Sequence, residues 1–395
     1  MKTIIYNKQF IDKDDKTKVL QSLGEDKITT GNQIIKLENN LKRYLGSKFV
    51  SCVNSGTSAI HLAIESLGLK KNDIVIMPSI NFIASFNCAK KLGLKIFLSD
   101  VDPNTGQSCP ENVESVIKKN KLKKIKLVIT MYLGGQPNNV IEFFKLKKKY
   151  KFFLIEDACH ALGAHYFYKK KKFKIGCSNH CDISTFSLHP LKAITTGEGG
   201  VICTNNKIIF NKIKLLRSHG ILRKRQHWKY DVIFNGYNYR MSDVNAALGI
   251  SQLKKIDKFI KFRRDVVKKY IKKIIHLDGF CKLLIKDKKS INQSAWHLLI
   301  LLINFENSKF NKNKFLNFFL KKNIILQVHY IPIYKFKICK HSLSQIDDKF
   351  PGSEKYFKSA VSLPIFYNLK NKEIDHVVNT IDKFFKKYKF REIKK

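Results

Sequence analysis

Arginine is scarce in this chain, and the scarcity argues against nucleic-acid binding, which the net charge first suggests. The 395 residues contain 75 Lys and Arg against 31 Asp and Glu, a formal net charge of +44. Only eight of the basic residues are arginines, and the lysines are spread along the whole chain. Nucleic-acid sites favour clustered arginines, because the guanidinium group forms paired hydrogen bonds. We therefore predict no nucleic-acid partner, although the charge would favour an anionic small substrate.

Long apolar runs are also missing. The longest, at residues 297–305, is about half of the ~20 residues that a membrane-spanning helix needs, so it predicts a buried strand. The N-terminal segment lacks the apolar core and the small-residue cleavage site of a signal peptide. These absences predict a cytoplasmic protein with no membrane segment.

Cysteine occurs nine times, an odd number, without the spacing of a zinc site. The tightest group is Cys177, His180 and Cys181, but no second Cys/His pair follows at a zinc-site spacing. A chain of this length does not need a disulfide framework in order to fold. We predict incidental or buried thiols and no metal.

What the chain does contain is a regular alternation of strand and helix patterns. Apolar runs such as residues 127–133 and 152–156 predict strands that helices cover on both faces. Repeated βα units predict an α/β fold with a mostly parallel sheet. After Met241 the alternation stops, and a long helical stretch leads into a mixed region. We predict a large domain at residues 1–250 and a smaller α+β domain at residues 251–395; the first ~25 residues lack periodicity and resemble an arm.

Lys192 stands out from the other lysines by its context. It follows a strand pattern at residues 184–188 and lies in a loop between Pro190 and Gly197, before a Thr- and Gly-rich turn. Such a loop can project an amine into a pocket while small residues let a cofactor approach. Desolvation there would lower the pKa of the amine and make it a nucleophile. The alternative is an ordinary surface lysine.

Acidic residues end the predicted strand at residues 152–156. The carboxyl end of a parallel strand is where open α/β sheets place their sites. Asp157 could face such a site, while Glu156 is a rival whose side chain should point to the opposite face. Asp157 could also cap the next helix, and one residue could do both.

A third segment, at residues 54–62, predicts a strand, a turn and a helix. Gly56, Thr57 and Ser58 would place backbone N–H groups and hydroxyls at the start of that helix, which suits a phosphate. Alone this signal is weak, because the same residues form ordinary helix caps.

In order and spacing, these segments resemble the DegT/DnrJ/EryC1/StrS family of sugar aminotransferases, from about Tyr6 to the C-terminus. Matching segments lie at residues 27–31, 78–85, 216–220, 236–241 and 362–364. The resemblance implies the type I fold of transferases that depend on pyridoxal 5′-phosphate (PLP): a large, mostly parallel sheet domain with a smaller C-terminal α+β domain.

The resemblance also implies roles. Lys192 resembles the lysine that binds PLP as a Schiff base, and Asp157 resembles the partner of the pyridine nitrogen. The other implied coenzyme contacts are Gly56, Thr57 and Ser187 at the phosphate, Phe82 against the ring, His160 near O3′, and Asn238. Asn238 resembles a residue that reaches the phosphate of a neighbouring subunit, which implies a homodimer with shared active sites. For Phe82, plain core packing stays open as an alternative.

Within the family, Tyr6, residues 189–196 and residues 327–334 resemble the aminotransferases of pseudaminic acid biosynthesis. The likeness implies that L-glutamate donates an amino group to C4 of a UDP-linked 4-keto-6-deoxy-N-acetylhexosamine. Implied sugar-nucleotide contacts are Tyr6, Lys27, Ile28, Thr29, Thr30, Gln327, Val328, His329 and Tyr330. Three alternatives stay open: an aminotransferase for another keto-sugar, of the perosamine or bacillosamine type, a basic nucleic-acid-binding protein, and a regulator without turnover.

Overall fold

The computed structural model describes residues 3–226, 228–305, 310–339, 342–344 and 349–388. The strands in these residues are β1 (Ile4–Ile5), β2 (Phe49–Val53), β3 (Ile74–Pro78), β4 (Lys95–Ser99), β5 (Ile125–Met131), β6 (Phe153–Asp157), β7 (His165–Tyr168), β8 (Lys171–Lys174), β9 (Ile183–Ser187), β10 (Gly200–Thr204), β11 (Ile221–Arg223), β12 (Tyr230–Val232), β13 (Cys281–Leu283), β14 (Leu299–Ile303), β15 (Ile324–Ile325) and β16 (Ala360–Leu363). The α-helices are α1 (Lys13–Leu23), α2 (Asn32–Leu45), α3 (Gly56–Ser66), α4 (Ala84–Lys91), α5 (Pro110–Lys119), α6 (Val140–Tyr150), α7 (Lys207–Leu216), α8 (Asp243–Lys254), α9 (Ile256–Ile274), α10 (Ser290–Gln293), α11 (Lys312–Leu320), α12 (Pro351–Ser359) and α13 (Asn371–Lys387).

A central sheet has seven strands in the order β2-β10-β9-β6-β5-β3-β4. β10 runs antiparallel to both of its neighbours, and the remaining pairs from β9 to β4 are parallel. Leu127 and Ile129 of β5 pack into one core cluster, while Val128 between them packs into another. Both faces of the sheet are therefore covered, as the continuous apolar runs predict. The predicted mostly parallel α/β sheet is confirmed.

The carboxyl ends of the parallel strands gather the loops that matter for chemistry. β6 ends at Asp157 and β9 ends at Ser187 on this edge. β2 runs in the same direction and is followed by the turn into α3, while the antiparallel β10 begins beside them at Gly200. The order of the strands thus brings three segments that are distant in sequence to one crevice.

A second sheet, in the order β13-β14-β16, lies in the C-terminal part of the chain. Its strands are antiparallel and share a hydrophobic core with α9, α11 and α13. The strand and helices predicted beyond residue 297 are present, although the strand predicted after α11 is only the short β15. The helical stretch predicted after Met241 is two helices, because the backbone turns at Lys255 between α8 and α9.

The predicted division at residue 250 stays a prediction; that position lies within α8. Ile4 and Ile5 at the start of the chain pair with β15, and Ile4 packs into the core of the C-terminal part. None of the helices in the described ranges combines the length and the apolar character needed to cross a bilayer.

The description of the first ~25 residues as an arm without periodicity is wrong for α1. A capping box starts this helix, with the side chains of Asp12 and Asp15 accepting each other's backbone N–H groups at 3.1 Å. Asp15 is buried, and its carboxylate binds Lys255 at 2.9 Å and Gln252 at 2.7 Å. The helix is fixed to α8 by polar contacts, so an apolar pattern could not indicate it.

Candidate active site

Lys192 lies half-buried in the loop between β9 and β10. The loop is held in shape by its own backbone: Leu188 accepts from Thr196 at 3.0 Å and donates to Gly199 at 2.8 Å. Burial lowers the pKa of the Lys192 amine, and the nearby Cys159 and Asp157 partly oppose that change. The structure therefore brings Lys192 and Asp157 within electrostatic reach and makes the amine easier to deprotonate.

Asp157 and Glu156, the two rival carboxylates, lie on opposite faces of β6. Asp157 is buried and accepts hydrogen bonds from the hydroxyl of Ser85 and from the backbone N–H of Cys159, each at 3.2 Å. Glu156 is also buried, but it is engaged by the hydroxyls of Tyr132 at 2.6 Å and Ser184 at 2.7 Å. The carboxylate that shares a site with Lys192 is therefore that of Asp157.

A cradle for an anion forms where α3 begins beside the end of β9. Ser55 caps the helix, and its side chain accepts the N–H of Ser58 at 3.0 Å. Among the described residues, the backbone N–H groups of Gly56 and Thr57 have no protein acceptor. A Cβ added at Gly56 would lie 2.8 Å from the Cβ of Ser187, so glycine permits this close approach. Two N–H groups, the Ser187 hydroxyl and the helix dipole suit a phosphate.

Phe82 is not part of the hydrophobic core, so the alternative of plain core packing is wrong. Its side chain is 53% exposed, and its ring centroid lies 5.8 Å from that of Tyr330. An aromatic face this accessible, in the loop after β3, is available to a flat ligand.

His160 is buried behind Tyr330. Its Nδ1 accepts the backbone N–H of Gly134 at 3.3 Å, and its Nε2 lies 3.0 Å from the hydroxyl oxygen of Tyr330. Burial first, and then the charges of Lys192 and His329, lower the pKa of His160 well below its ordinary value. The imidazole of His160 is therefore neutral. Both of its nitrogen atoms already have protein partners.

Three of the residues predicted to contact the sugar line the same wall. The rings of Tyr6 and His329 lie 5.1 Å apart, and those of His329 and Tyr330 are also 5.1 Å apart. His329 is buried, and its Nδ1 lies 2.8 Å from the hydroxyl of Ser362. Burial and the charge of Lys192 lower the pKa of His329 to about 3. The geometry thus brings Tyr6, His329 and Tyr330 together near Lys192.

Gln327 and Val328 precede this wall without joining its stack of rings. The backbone of Gln327 pairs with Ser362, and its side-chain oxygen accepts the N–H of Val328 at 3.2 Å. Val328 borders a cavity of about 840 Å³ that also includes Phe310 and Phe357, in the C-terminal part of the chain. Their predicted role at the sugar nucleotide stays a prediction.

The segment formed by Lys27, Ile28, Thr29 and Thr30 is exposed. It lies against the start of α8, where the carbonyl of Ile28 accepts the N–H of Asp243 at 2.9 Å and Thr29 pairs with Ser242. The side chain of Asn245, in the first turn of the same helix, donates to the carbonyl of Thr196 in the Lys192 loop. The segment is therefore linked to the site through α8.

Asn238 is exposed and has its backbone against the turn before α3. Its carbonyl accepts the side-chain amide of Asn54 at 3.4 Å. This position is near the anion cradle of its own chain. The predicted reach of its side chain into a neighbouring subunit stays a prediction.

Sequence reasoning missed two residues that the structure places at the site. Ser85, on α4, donates to Asp157, and it lies inside a segment that supported the family resemblance. His297 is buried, with its ring centroid 4.1 Å from that of His160. Its only signal in the sequence is a single histidine at the start of an otherwise apolar run.

The cysteines form no disulfide with one another in the described residues. All nine thiols are unpaired, and six of them are buried. Within the described ranges, no cluster of three or more His, Cys, Asp or Glu side chains is placed to hold a metal ion. His180 is instead bonded through Nδ1 to the hydroxyl of Tyr166 at 2.5 Å.

The donor set at this edge fits PLP. The cradle at Gly56, Thr57 and Ser187 would take the phosphate, Lys192 offers an amine with a lowered pKa, and Asp157 offers a buried carboxylate for a pyridinium nitrogen. Phe82 supplies an exposed aromatic face. An aldehyde coenzyme with a phosphate and a basic ring nitrogen matches each of these features.

Comparison with known proteins agrees with this chemistry. The profile of the DegT/DnrJ/EryC1/StrS aminotransferase family matches residues 9–382. A UDP-4-amino-4,6-dideoxy-N-acetyl-beta-L-altrosamine transaminase from Campylobacter jejuni (serotype O:23/36) is 36% identical over 386 residues, covering 98% of each chain. A GDP-perosamine synthase from Escherichia coli O157:H7 is 32% identical, covering 90% of this chain and 91% of the relative.

A solved structure has the same fold. Helicobacter pylori PseC, an aminotransferase involved in the biosynthesis of pseudoaminic acid, superposes with a TM-score of 0.87 at 28% identity. The match covers 98% of this chain and 100% of that one. The type I fold expected from the sequence is confirmed.

Proposed function

This chain belongs to the DegT/DnrJ/EryC1/StrS aminotransferase family, and on that basis we propose that it moves the amino group of L-glutamate to C4 of a UDP-linked 4-keto-6-deoxy-N-acetylhexosamine. PLP is the coenzyme. The observation that carries the proposal is the convergence of a Lys192 amine with a lowered pKa, the Asp157 carboxylate and a phosphate cradle at one edge of the sheet.

Each of these residues has a distinct task in the proposal. Bound PLP supplies an electron-withdrawing ring that stabilises negative charge on a reacting carbon. Asp157, held by Ser85 and the N–H of Cys159, would offer its carboxylate to the ring nitrogen. The Lys192 amine holds the coenzyme and then carries a proton to and from the reacting carbon. Gly56, Thr57 and Ser187 bind the phosphate, and Phe82 covers one ring face.

The choice of sugar rests on similarity, since the C. jejuni relative matches over nearly the whole of both chains. Tyr6, His329 and Tyr330 would face the sugar; residues 27–30, Gln327 and Val328 would contact the rest of the sugar nucleotide. Another keto-sugar, of the perosamine or bacillosamine type, is the second candidate. The 32% identity to a GDP-perosamine synthase favours the perosamine type among these.

We also propose a homodimer with shared active sites, located in the cytoplasm. The hairpin of β11 and β12 supports the dimer, because Tyr230 and Val232 expose apolar side chains on one face of it. Exposed apolar groups that lie together are typical of protein interfaces. The nine unpaired cysteines suit a reducing compartment.

Product identification tests the function. We expect the purified, PLP-loaded protein with glutamate to convert the UDP-linked 4-keto sugar, and NMR to show an amino group at C4 and release of 2-oxoglutarate. GDP- and dTDP-linked 4-keto sugars are the competing substrates, and a Lys192→Ala variant is the control. Preferred turnover of a GDP-linked sugar would replace the proposed substrate. Full turnover by the Lys192→Ala variant would contradict the proposed chemistry.

A further inference from the structure

The donor and the acceptor can be assigned in both side-chain hydrogen bonds of His160. Its Nδ1 lies 3.3 Å from the backbone nitrogen of Gly134, and a backbone N–H can only donate. Nδ1 is therefore an acceptor without a proton. Because the ring is neutral, the proton sits on Nε2, 3.0 Å from the hydroxyl oxygen of Tyr330. The Nε2–H group donates, and the Tyr330 oxygen accepts.

This direction leaves the hydroxyl proton of Tyr330 to be donated elsewhere. Among the described residues, no acceptor is found for it. Burial raises the pKa of Tyr330 well above its ordinary value, and the carboxylate of Asp157 adds to the rise, so the phenol keeps its proton. The ring is half-buried and lies between Phe82 and His329. The free proton is thus on the wall that faces the site.

His160 is itself supported from behind. His297 packs against it with the ring centroids 4.1 Å apart, and the Nδ1 of His297 lies 3.4 Å from the side-chain nitrogen of Asn7. Arg263, which can only donate, binds the side-chain oxygen of Asn7 at 3.1 Å and so fixes which end of that amide faces His297. The N-terminal segment therefore helps to hold the ring of His160 in place.

From this geometry we propose that Tyr330 is the hydrogen-bond donor of this wall to an acceptor oxygen on the ligand, and that His160 is a positioning residue that acts through it. The inference rests on the proposed function and deepens it. The implied contact of His160 itself with the coenzyme stays a separate prediction. The acceptor is an oxygen of either the coenzyme ring or the keto-sugar.

Removal of the hydroxyl tests the proposal and distinguishes the two sources. Rapid-mixing absorbance can follow the reaction of bound PLP with glutamate and, separately, the reaction of the aminated coenzyme with keto-sugar. We expect Tyr330→Phe to slow at least one of these by about tenfold. If the coenzyme is the acceptor, the visible absorbance of bound PLP shifts and both reactions slow. If the sugar is the acceptor, only the sugar reaction slows and the absorbance is unchanged.

Two outcomes are separable from each other. If Tyr330→Phe changes neither reaction nor the absorbance, the assignment of Tyr330 is wrong while aminotransfer stands. If the unmodified protein itself fails to react with glutamate, the proposed function fails first. The thermal unfolding midpoint of Tyr330→Phe shows whether the variant is folded.

Substitutions at His160 test the direction of the bonds. Glutamine can accept from Gly134 and donate to Tyr330, as the imidazole does, so His160→Gln should keep both rates within about threefold of the unmodified protein. A glutamate side chain only accepts, and it would take the Tyr330 proton for itself. We expect His160→Glu to slow the same reactions as much as Tyr330→Phe does. The double variant, His160→Glu with Tyr330→Phe, should be no slower than either single variant. If His160→Gln is as slow as His160→Glu, the proposed direction is wrong.

The ring protons can also be located without turnover. In coenzyme-free protein with ¹⁵N-labelled histidine, we expect His160 to carry its proton on Nε2 and none on Nδ1, with its signals identified by their loss in His160→Gln. A proton on Nδ1 would overturn the proposal. This measurement does not depend on the identity of the substrate.

Discussion

Two neighbouring carboxylates at the end of β6 show how environment assigns roles to single residues. Asp157 faces the site and Glu156 faces a buried hydroxyl pair. We expect Asp157→Asn to lower kcat/KM by roughly a hundredfold, because the neutral amide cannot hold a charge opposite the coenzyme nitrogen. Glu156→Gln should change kcat/KM by less than about threefold. Steady-state kinetics of the two variants measure the contrast, and equal losses would contradict it.

Glu156 should instead make stability depend on pH. Burial raises its pKa above the ordinary carboxyl value, an effect that its hydroxyl partners only partly oppose. The folded state then holds the proton more tightly than the unfolded chain, so this contribution is complete below about pH 4 and is lost as pH rises through the raised pKa.

Chemical denaturation of the unmodified protein and of Glu156→Gln, at several pH values, isolates this contribution. Other carboxyl groups cancel in the difference between the two free energies of unfolding. That difference should shift in favour of Glu156→Gln as pH rises above about 4. A difference that stays constant with pH would show that Glu156 has the same pKa in the folded protein as in the unfolded chain.

At the scale of elements, the start of α3 is shaped by how closely it approaches β9. A Cβ at Gly56 would lie 2.8 Å from the Cβ of Ser187, so alanine must displace the loop that carries the N–H groups. We expect Gly56→Ala to weaken PLP binding by about tenfold, as measured by titration of the coenzyme-free protein. Alanine favours helix over glycine, so a weakened helix would not explain the loss.

Gly24→Ala is the matched control for this substitution. Gly24 ends α1 with a negative φ, and an added Cβ would meet its nearest atom at 3.6 Å. PLP affinity should be unchanged in this variant. If both variants bind PLP like the unmodified protein, the cradle at Gly56 is not the phosphate site.

The sequence predicts those elements whose signal is local and misses those that depend on partners. Lys192 and Asp157 could be found because a Gly- and Thr-rich loop and an acidic strand end are readable from neighbouring residues. α1 could not, because its burial depends on Asp15 meeting Gln252 of α8 and Lys255 just after that helix. His297 could not be found either, because it belongs to the site only through its contact with the ring of His160, which is 137 positions away in the chain.

At the scale of the whole molecule, the hairpin of β11 and β12 should govern assembly. Val232 is 56% exposed there, in the segment that leads to Asn238. A buried charge in a self-complementary contact is repeated by symmetry, so Val232→Asp should shift the protein toward single chains. Sedimentation velocity measures the mass. Ile275→Asp, at an apolar and more exposed position after α9, should leave the mass unchanged.

Shared active sites make a further prediction that mass alone cannot test. If Asn238 serves the site of its partner, Lys192→Ala and Asn238→Ala impair different halves of each site. After the two variants are mixed, unfolded partially and reassociated, a mixed dimer contains one site with both residues intact. About half of randomly formed dimers are mixed, so activity should recover to about a quarter of that of the unmodified protein. If Asn238 serves the site of its own chain, every site with an intact Lys192 carries the Asn238→Ala change, and mixing restores nothing.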